Sequence, residues 1–145
     1  MRMSSNYTVS IQSLLLIMAS TERKMTSEMI SQSTGANPVL IRQLFTKLKK
    51  ADILSVSTGL GVTTLSRDPK DISLWDIYMA IEKYDAADLF KFHPNISPEC
   101  KIGGFFKDIL TPHLDEAIQA MAKEMAQISL FQLWGEWQSK LNESE

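Results

Sequence analysis

A chain of 145 residues, 44% hydrophobic and 22% charged, has enough apolar material for one good core, so a disordered chain is excluded and one compact domain with an extension is the default. Its longest unbroken apolar run, Leu14 to Ala19, falls far short of the ~18 residues of a membrane span. No cleavage-like site marks a leader, and a single cysteine cannot form an internal disulfide, which fits a reducing cytoplasm. The net charge of −2 hides a split: residues 1–58 hold seven Lys/Arg and three Asp/Glu, the remainder eight and fourteen, so a basic head precedes an acidic body and a polyanion suits the head.

Tyr7, Ile11, Leu14, Leu15 and Met18 share one helical face and predict a first helix from Ser5 to Ser20. Thr21 to Met25 is a charged connection. Thr26-Ser27-Glu28-Met29-Ile30 then opens a short helix with a hydroxyl cap and an acid in its first turn. Gly35 supplies the left-handed residue that closes it. Asn37-Pro38 pairs an N-cap with a proline at the first helical position, so the next helix runs from Pro38 to about Ala51. Ile41, Leu44, Phe45 and Leu48 form its apolar stripe, and Arg42, Gln43, Thr46, Lys47, Lys49 and Lys50 its other face. Ile53 to Ser57 and Val62 to Leu65 read as two short strands around Thr58-Gly59-Leu60-Gly61. Helix, tight turn, basic helix and hairpin follow in the order of a winged helix-turn-helix.

Arg67 to Asp71 breaks all periodicity and reads as a loop. Ser73-Leu74-Trp75-Asp76 has the form of a capping box and starts a helix from Leu74 to about Lys83. Trp75 and Tyr78 are expected in the core or an interface. From Asp85 to Gly104 no clean period emerges. Thr111-Pro112 looks like a second N-cap and N1 pair, and Leu114, Ile118, Met121, Met125 and Ile128 then run along one face for four turns. Ser129 could cap a last short helix holding Leu130, Phe131, Leu133, Trp134 and Trp137. The expected fold is mainly α: a winged helix-turn-helix DNA-binding domain over residues 1–84, then a linker, a long dimerisation helix and a short terminal helix over 85–145. So apolar a final third either folds back on its own domain or pairs with a second copy, and the second is favoured.

Three stretches together resemble the Rrf-two, or BadM-type, family of bacterial winged-helix transcription regulators. These are the opening Met1 to Ser5, the run from Asn37 to Leu54, and Pro69 to Ile77. The resemblance covers nearly the whole chain. It implies a homodimer, built through a long helix near the C-terminus, that binds double-stranded DNA at an inverted-repeat operator and usually represses; Leu114 to Ile128 suits that helix. Two departures stand out. The family's wing often carries an Arg-Gly-Pro-Gly-Gly-Gly-Tyr-like run, whereas Ser57 to Thr63 here has two glycines and no arginine, so the recognition helix should carry more of the readout. Members that sense iron–sulfur clusters use three cysteines six residues apart. Cys100 resembles the last, but Pro94 and Asp88 stand at the other two positions and Gly103 where a histidine ligand falls. One thiolate cannot hold a cluster that needs about four protein ligands. The branch without a cluster is expected, with no cofactor and no metal.

Arg42 and Gln43 are the best base readers, since Arg pairs bidentately with guanine and Gln with adenine. Asn37 caps the recognition helix and can present backbone N–H groups to a phosphate. The expected DNA-contact set is Ser5, Thr26, Asn37, Pro38, Val39, Arg42, Gln43, Lys47, Lys50, Thr58 and Gly59. Leu114, Ile118, Met121, Met125 and Ile128 are the expected dimer interface. Cys100, between Glu99 and Lys101, is a candidate redox sensor or an inert residue of a turn. His93 and His113 lack partners at zinc spacing, and no nucleophile elbow, phosphate-cradling loop or persuasive acid pair is present, so the chain is not expected to be an enzyme. The competing reading is a winged-helix module that docks proteins rather than DNA.

Overall fold

The computed structural model describes residues 4–20, 24–56, 62–82 and 89–144. Among them the chain forms six α-helices, α1 (Ser5–Ala19), α2 (Ser27–Thr34), α3 (Pro38–Lys50), α4 (Leu74–Glu82), α5 (Lys101–Ala126) and α6 (Leu130–Ser144). A two-stranded sheet, β1 (Leu54–Val56) and β2 (Thr63–Leu65), and a 3-10 turn at Pro69–Asp71 complete it. The class is the expected one, mainly α with a small wing.

Helix α1 is the central strut and touches α2, α3, α4 and β2. Its buried face includes Ser10 and Ser13, whose hydroxyls donate to the carbonyls of Asn6 and Val9 at 2.8 and 2.7 Å. Small side chains satisfied within their own helix let neighbouring elements pack close. Tyr7 donates its hydroxyl to the Leu74 carbonyl at 2.6 Å and meets Tyr78 edge to face at 5.7 Å. Burial first, and Tyr78 second, push the Tyr7 hydroxyl well above the ordinary tyrosine range.

The helix-turn-helix forms for local reasons. Thr26 Oγ1 accepts from Met29 N–H at 3.2 Å to start α2, and Gly35 ends it at φ +76°. Asn37 Oδ1 accepts from Val39 N–H at 2.8 Å to start α3. Helix α3 closes in a Schellman turn: Asp52 takes the left-handed φ of 58°, Ile53 N–H reaches the Leu48 carbonyl and Asp52 N–H that of Lys49. The turn aims the chain into β1, and β1 pairs with β2 antiparallel, Leu54 opposite Leu65 and Val56 opposite Thr63. Each strand starts one residue later than the sequence suggests, and Ser57, with Thr58 and Gly59 of the wing tip, lies outside the described residues. Leu14, Ile30, Ile41, Leu44, Leu48, Ile53, Ile72, Ile77 and Ile81 close into one core. Each such side chain contributes about 1.5–3 kcal/mol on burial.

The capping box before α4 is present as read: Asp76 N–H donates to Ser73 Oγ, and Ser73 N–H to Asp76 Oδ2. The preceding segment, expected as a loop, holds the 3-10 turn, with Asp68 Oδ1 accepting from Lys70 N–H.

The C-terminal third departs most from expectation. Thr111-Pro112 does not begin a helix: α5 starts ten residues earlier at Lys101, capped by Cys100, and Pro112 lies inside it. A proline there removes the N–H that would bond the Asp108 carbonyl, but Asp108 is exposed, so water can take that carbonyl and the helix continues. The last helix, expected to be short, runs for 15 residues, and Ser129 Oγ caps it by accepting from Gln132 N–H at 3.0 Å. Residues 128–130 are strapped to the start of α4, with Leu74 N–H on the Ile128 carbonyl at 2.9 Å and Leu130 N–H on that of Ile72 at 2.8 Å. Leu130 is fully buried in the core of the winged helix. Ile118 is also buried within its own chain, at 6% exposure. That corrects its placement at the centre of an intermolecular seam: α5 packs on α4, and Ile118 faces inward.

Candidate nucleic-acid interface

Helix α3 buries Ile41, Leu44, Phe45 and Leu48, which leaves Val39, Arg42, Gln43, Thr46, Lys49 and Lys50 exposed. Positions 39, 42, 43, 46 and 50 fall on one helical face by their spacing of three and four. The face therefore carries a bidentate donor fork, an amide, a hydroxyl and an ammonium group in a row that fits a major groove. Val39, 53% exposed at its N-terminal end, is an apolar group of the kind that meets a thymine methyl.

Arg42 is held from the neighbouring helix. Its Nη1 donates to Ser27 Oγ at 3.1 Å and lies 3.6 Å from Glu28 Oε1. Glu28's own backbone N–H, then the Ser27 hydroxyl and last the Arg42 charge hold the Glu28 carboxyl below the usual range. Sequence reading took Glu28 only as an acid in a first turn; its reach to a residue fourteen positions later depends on the angle between the two helices, which no local pattern encodes.

The other expected contacts separate. Asn37 is exposed at the N-terminus of α3 with its side chain committed to capping, and Pro38 and Val39 follow it on the same turn. Thr26 caps α2 beside Ser27, and Ser5 opens α1 on the surface. Lys50 is exposed on α3. Lys47 is the correction: its ammonium donates to the Ile81 carbonyl at the end of α4, at 3.1 Å, and the residue is half-buried. A cation at a helix C-terminus satisfies a carbonyl that would lack an intrahelical partner, and it faces away from the exposed row.

Cys100 is exposed, and its Sγ accepts from Gly103 N–H at 3.4 Å as the cap of α5. That N–H, with Ile102 N–H behind it, holds the thiol below its ordinary pKa.

A basic row on the second helix of a helix-turn-helix, backed by a hairpin, defines a winged helix-turn-helix transcriptional regulator. Residues 3–136 match the Rrf2 family, described as an iron-dependent transcriptional regulator. The chain belongs to that family. It is 38% identical over 127 residues to the Bacillus subtilis (strain 168) protein named "Putative HTH-type transcriptional regulator YwnA", covering 88% of this chain and 92% of that one. A crystal structure titled as that of a "putative DNA binding protein" is similar at 34% identity and a TM-score of 0.70, covering 89% of this chain and 98% of the other. A crystal structure titled as that of a "putative transcriptional regulator from Lactobacillus plantarum" shares the fold at a TM-score of 0.76 and 22% identity, covering 99% of this chain and 100% of the other.

The residues here do not fit the iron of the family's description. Cys100 is the only cysteine. Its sulfur caps a helix, Pro94 and Gly103 offer no donor side chain, and among the described residues no three His, Cys, Asp or Glu side chains gather as a ligand set. A cluster needs about four such donors.

Proposed function

We propose that the protein is a homodimeric repressor that binds an inverted-repeat operator, with α3 of each copy in a major groove. The observation that carries this is the exposed row of Arg42, Gln43, Thr46 and Lys50 on a helix whose opposite face is sealed into the core. Arg42 and Gln43 read base edges, while Lys50 and the capped start of α3 at Asn37 position the helix on phosphates. Ser5 and Thr26 bring the starts of α1 and α2 toward the backbone, and Thr58 and Gly59 add a light contribution from a wing without arginine.

Two half-sites about one helical turn apart, roughly 34 Å, call for paired recognition helices. The apolar surface available for pairing lies on the first half of α5, where Ile102, Phe105 and Ile109 are 77%, 65% and 66% exposed at i, i+3 and i+7. Leu114, Met121 and Met125 fall on the other side of the helix with Ile118 and are half-buried, as is Ile128 just past the helix end, so the exposed first half carries the pairing. The wing being light and the net charge negative, a protein-docking role is the reading to beat.

The test is fluorescence anisotropy on the DNA upstream of the protein's own coding region, titrated at rising salt. A regulator that neutralises several phosphates loses affinity linearly in log salt, with a slope near −0.9 per phosphate contact. A flat salt response, or no preference over scrambled DNA, would favour the docking role.

A further inference from the structure

Outside the DNA-facing side, the first half of α5 and the segment 89–98 line an open cavity of about 500 Å³. Its wall is apolar and rich in aromatic rings: Phe90, Phe92 and Ile96 from the segment, Phe106, Leu110 and Leu114 from the helix. Phe92 and Phe106 meet edge to face at 5.9 Å. The segment lies close to the helix because two glycines allow it. A Cβ on Gly103 would stand 2.8 Å from the Ser97 carbonyl oxygen, and one on Gly104 3.1 Å from that of Pro98. The chain thus builds this concavity with residues that the DNA-binding face does not use.

The polar part of the lining is cationic. Lys91 supplies that charge and His93 stands beside it, and among the described residues no carboxylate lines the cavity. Asn95 N–H donates to His93 Nδ1 at 3.1 Å, which places the ring proton of the neutral imidazole on Nε2 and leaves that atom a donor. Lys107 Nζ adds a second positive charge, 5.8 Å from the centre of the Phe92 ring. Asp108 borders the adjoining depression, which shares Phe92 and His93 as its wall.

A mostly apolar cavity of this size with a few convergent polar groups matches the usual form of a small-molecule site. Donors without acceptors select an anion, and the aromatic wall selects a flat or bulky apolar body. We propose that this cavity binds a small organic anion, a carboxylate carried on an aromatic or branched apolar body, with the body against Phe92, Phe106 and Leu110 and the carboxylate at Lys91 and His93. The proposal goes beyond the regulator reading and does not rest on it, because binding is measured without DNA.

The experiment is calorimetric titration of the full chain with 2-naphthoate and with its neutral counterpart, 2-naphthalenemethanol. The site predicts one naphthoate per chain and weaker binding of the alcohol. Lys91→Gln should weaken naphthoate about tenfold and leave the alcohol unchanged, as expected for one lost charge-assisted hydrogen bond. Leu110→Trp, which fills the cavity, should abolish both while circular dichroism stays native. Lys91 is exposed, so its variant reports on the site even if Leu110→Trp fails to fold. Equal affinity for acid and alcohol, naphthoate binding indifferent to Lys91→Gln, or no binding of either compound would overturn the proposal.

Discussion

Arg42 on α3 and Glu28 on α2 form a cross-helix pair, Nη1 to Oε1 at 3.6 Å, with Ser27 Oγ completing the contact at 3.1 Å. Both side chains are more than half exposed, so the pair is weak and its job is orientation rather than stability. It holds the arginine fork in place in the free protein, and it puts a negative charge beside the exposed row of α3. Glu28→Gln should therefore tighten binding to all DNA sequences while reducing preference for the operator. Competition between operator and random duplex measures both; a variant with unchanged preference would leave Glu28 without a positioning role.

Lys47 separates stability from DNA affinity. Its ammonium caps α4 through the Ile81 carbonyl, so Lys47→Met should cost about 1 kcal/mol in urea unfolding, with operator affinity nearly intact. Lys50→Ala should do the reverse, weakening binding to all sequences alike without a change in stability. If Lys47→Met lowers affinity as Lys50→Ala does, the lysine swings to phosphate in the complex.

The two faces of α5 differ in what they support. Ile118→Asp puts a charge into the chain's own core and should unfold it, at a cost of several kcal/mol. Phe105→Glu alters an exposed side chain and should give a folded monomer by light scattering. A Phe105→Glu protein that remains dimeric would move the seam to the exposed Phe131, Trp137 and Leu141 of α6.

Cys100 should react with iodoacetamide as a thiolate at lower pH than a free cysteine. The Gly103 and Ile102 N–H groups favour the ionised form, so the midpoint of the rate against pH shifts downward. A rate profile identical to that of free cysteine would mean the cap does not persist in solution.

The parts of this fold legible in sequence are those set by neighbours along the chain. Thr26, Asn37 with Pro38, and Ser73 with Asp76 each cap the helix they precede, because a cap needs only the next three residues. The stripe Ile41, Leu44, Phe45, Leu48 fixed both the buried face of α3 and, by exclusion, its exposed one. What escaped depends on distance in sequence. Thr111-Pro112 carries a start signal, yet α5 passes through it: the helix is capped upstream by Cys100, and Gly103 and Gly104 let the 96–98 segment lie against it. A start at Thr111 leaves Ile102, Phe105 and Ile109 outside any helix, so their common face does not show in the sequence. Ile118 and Lys47 have the right chemistry for the roles first given to them, and only the packing of α4 against both helices redirects them.

The central claim is that α3 reads bases through Arg42. The measurement is the ratio of operator to random-duplex affinity at one fixed salt concentration, for wild type and Arg42→Ala. Loss of a bidentate base contact should cost about 1–3 kcal/mol per half-site on operator and far less on random DNA, so the ratio should collapse. An unchanged ratio would contradict the account and remove α3 from the role of reader.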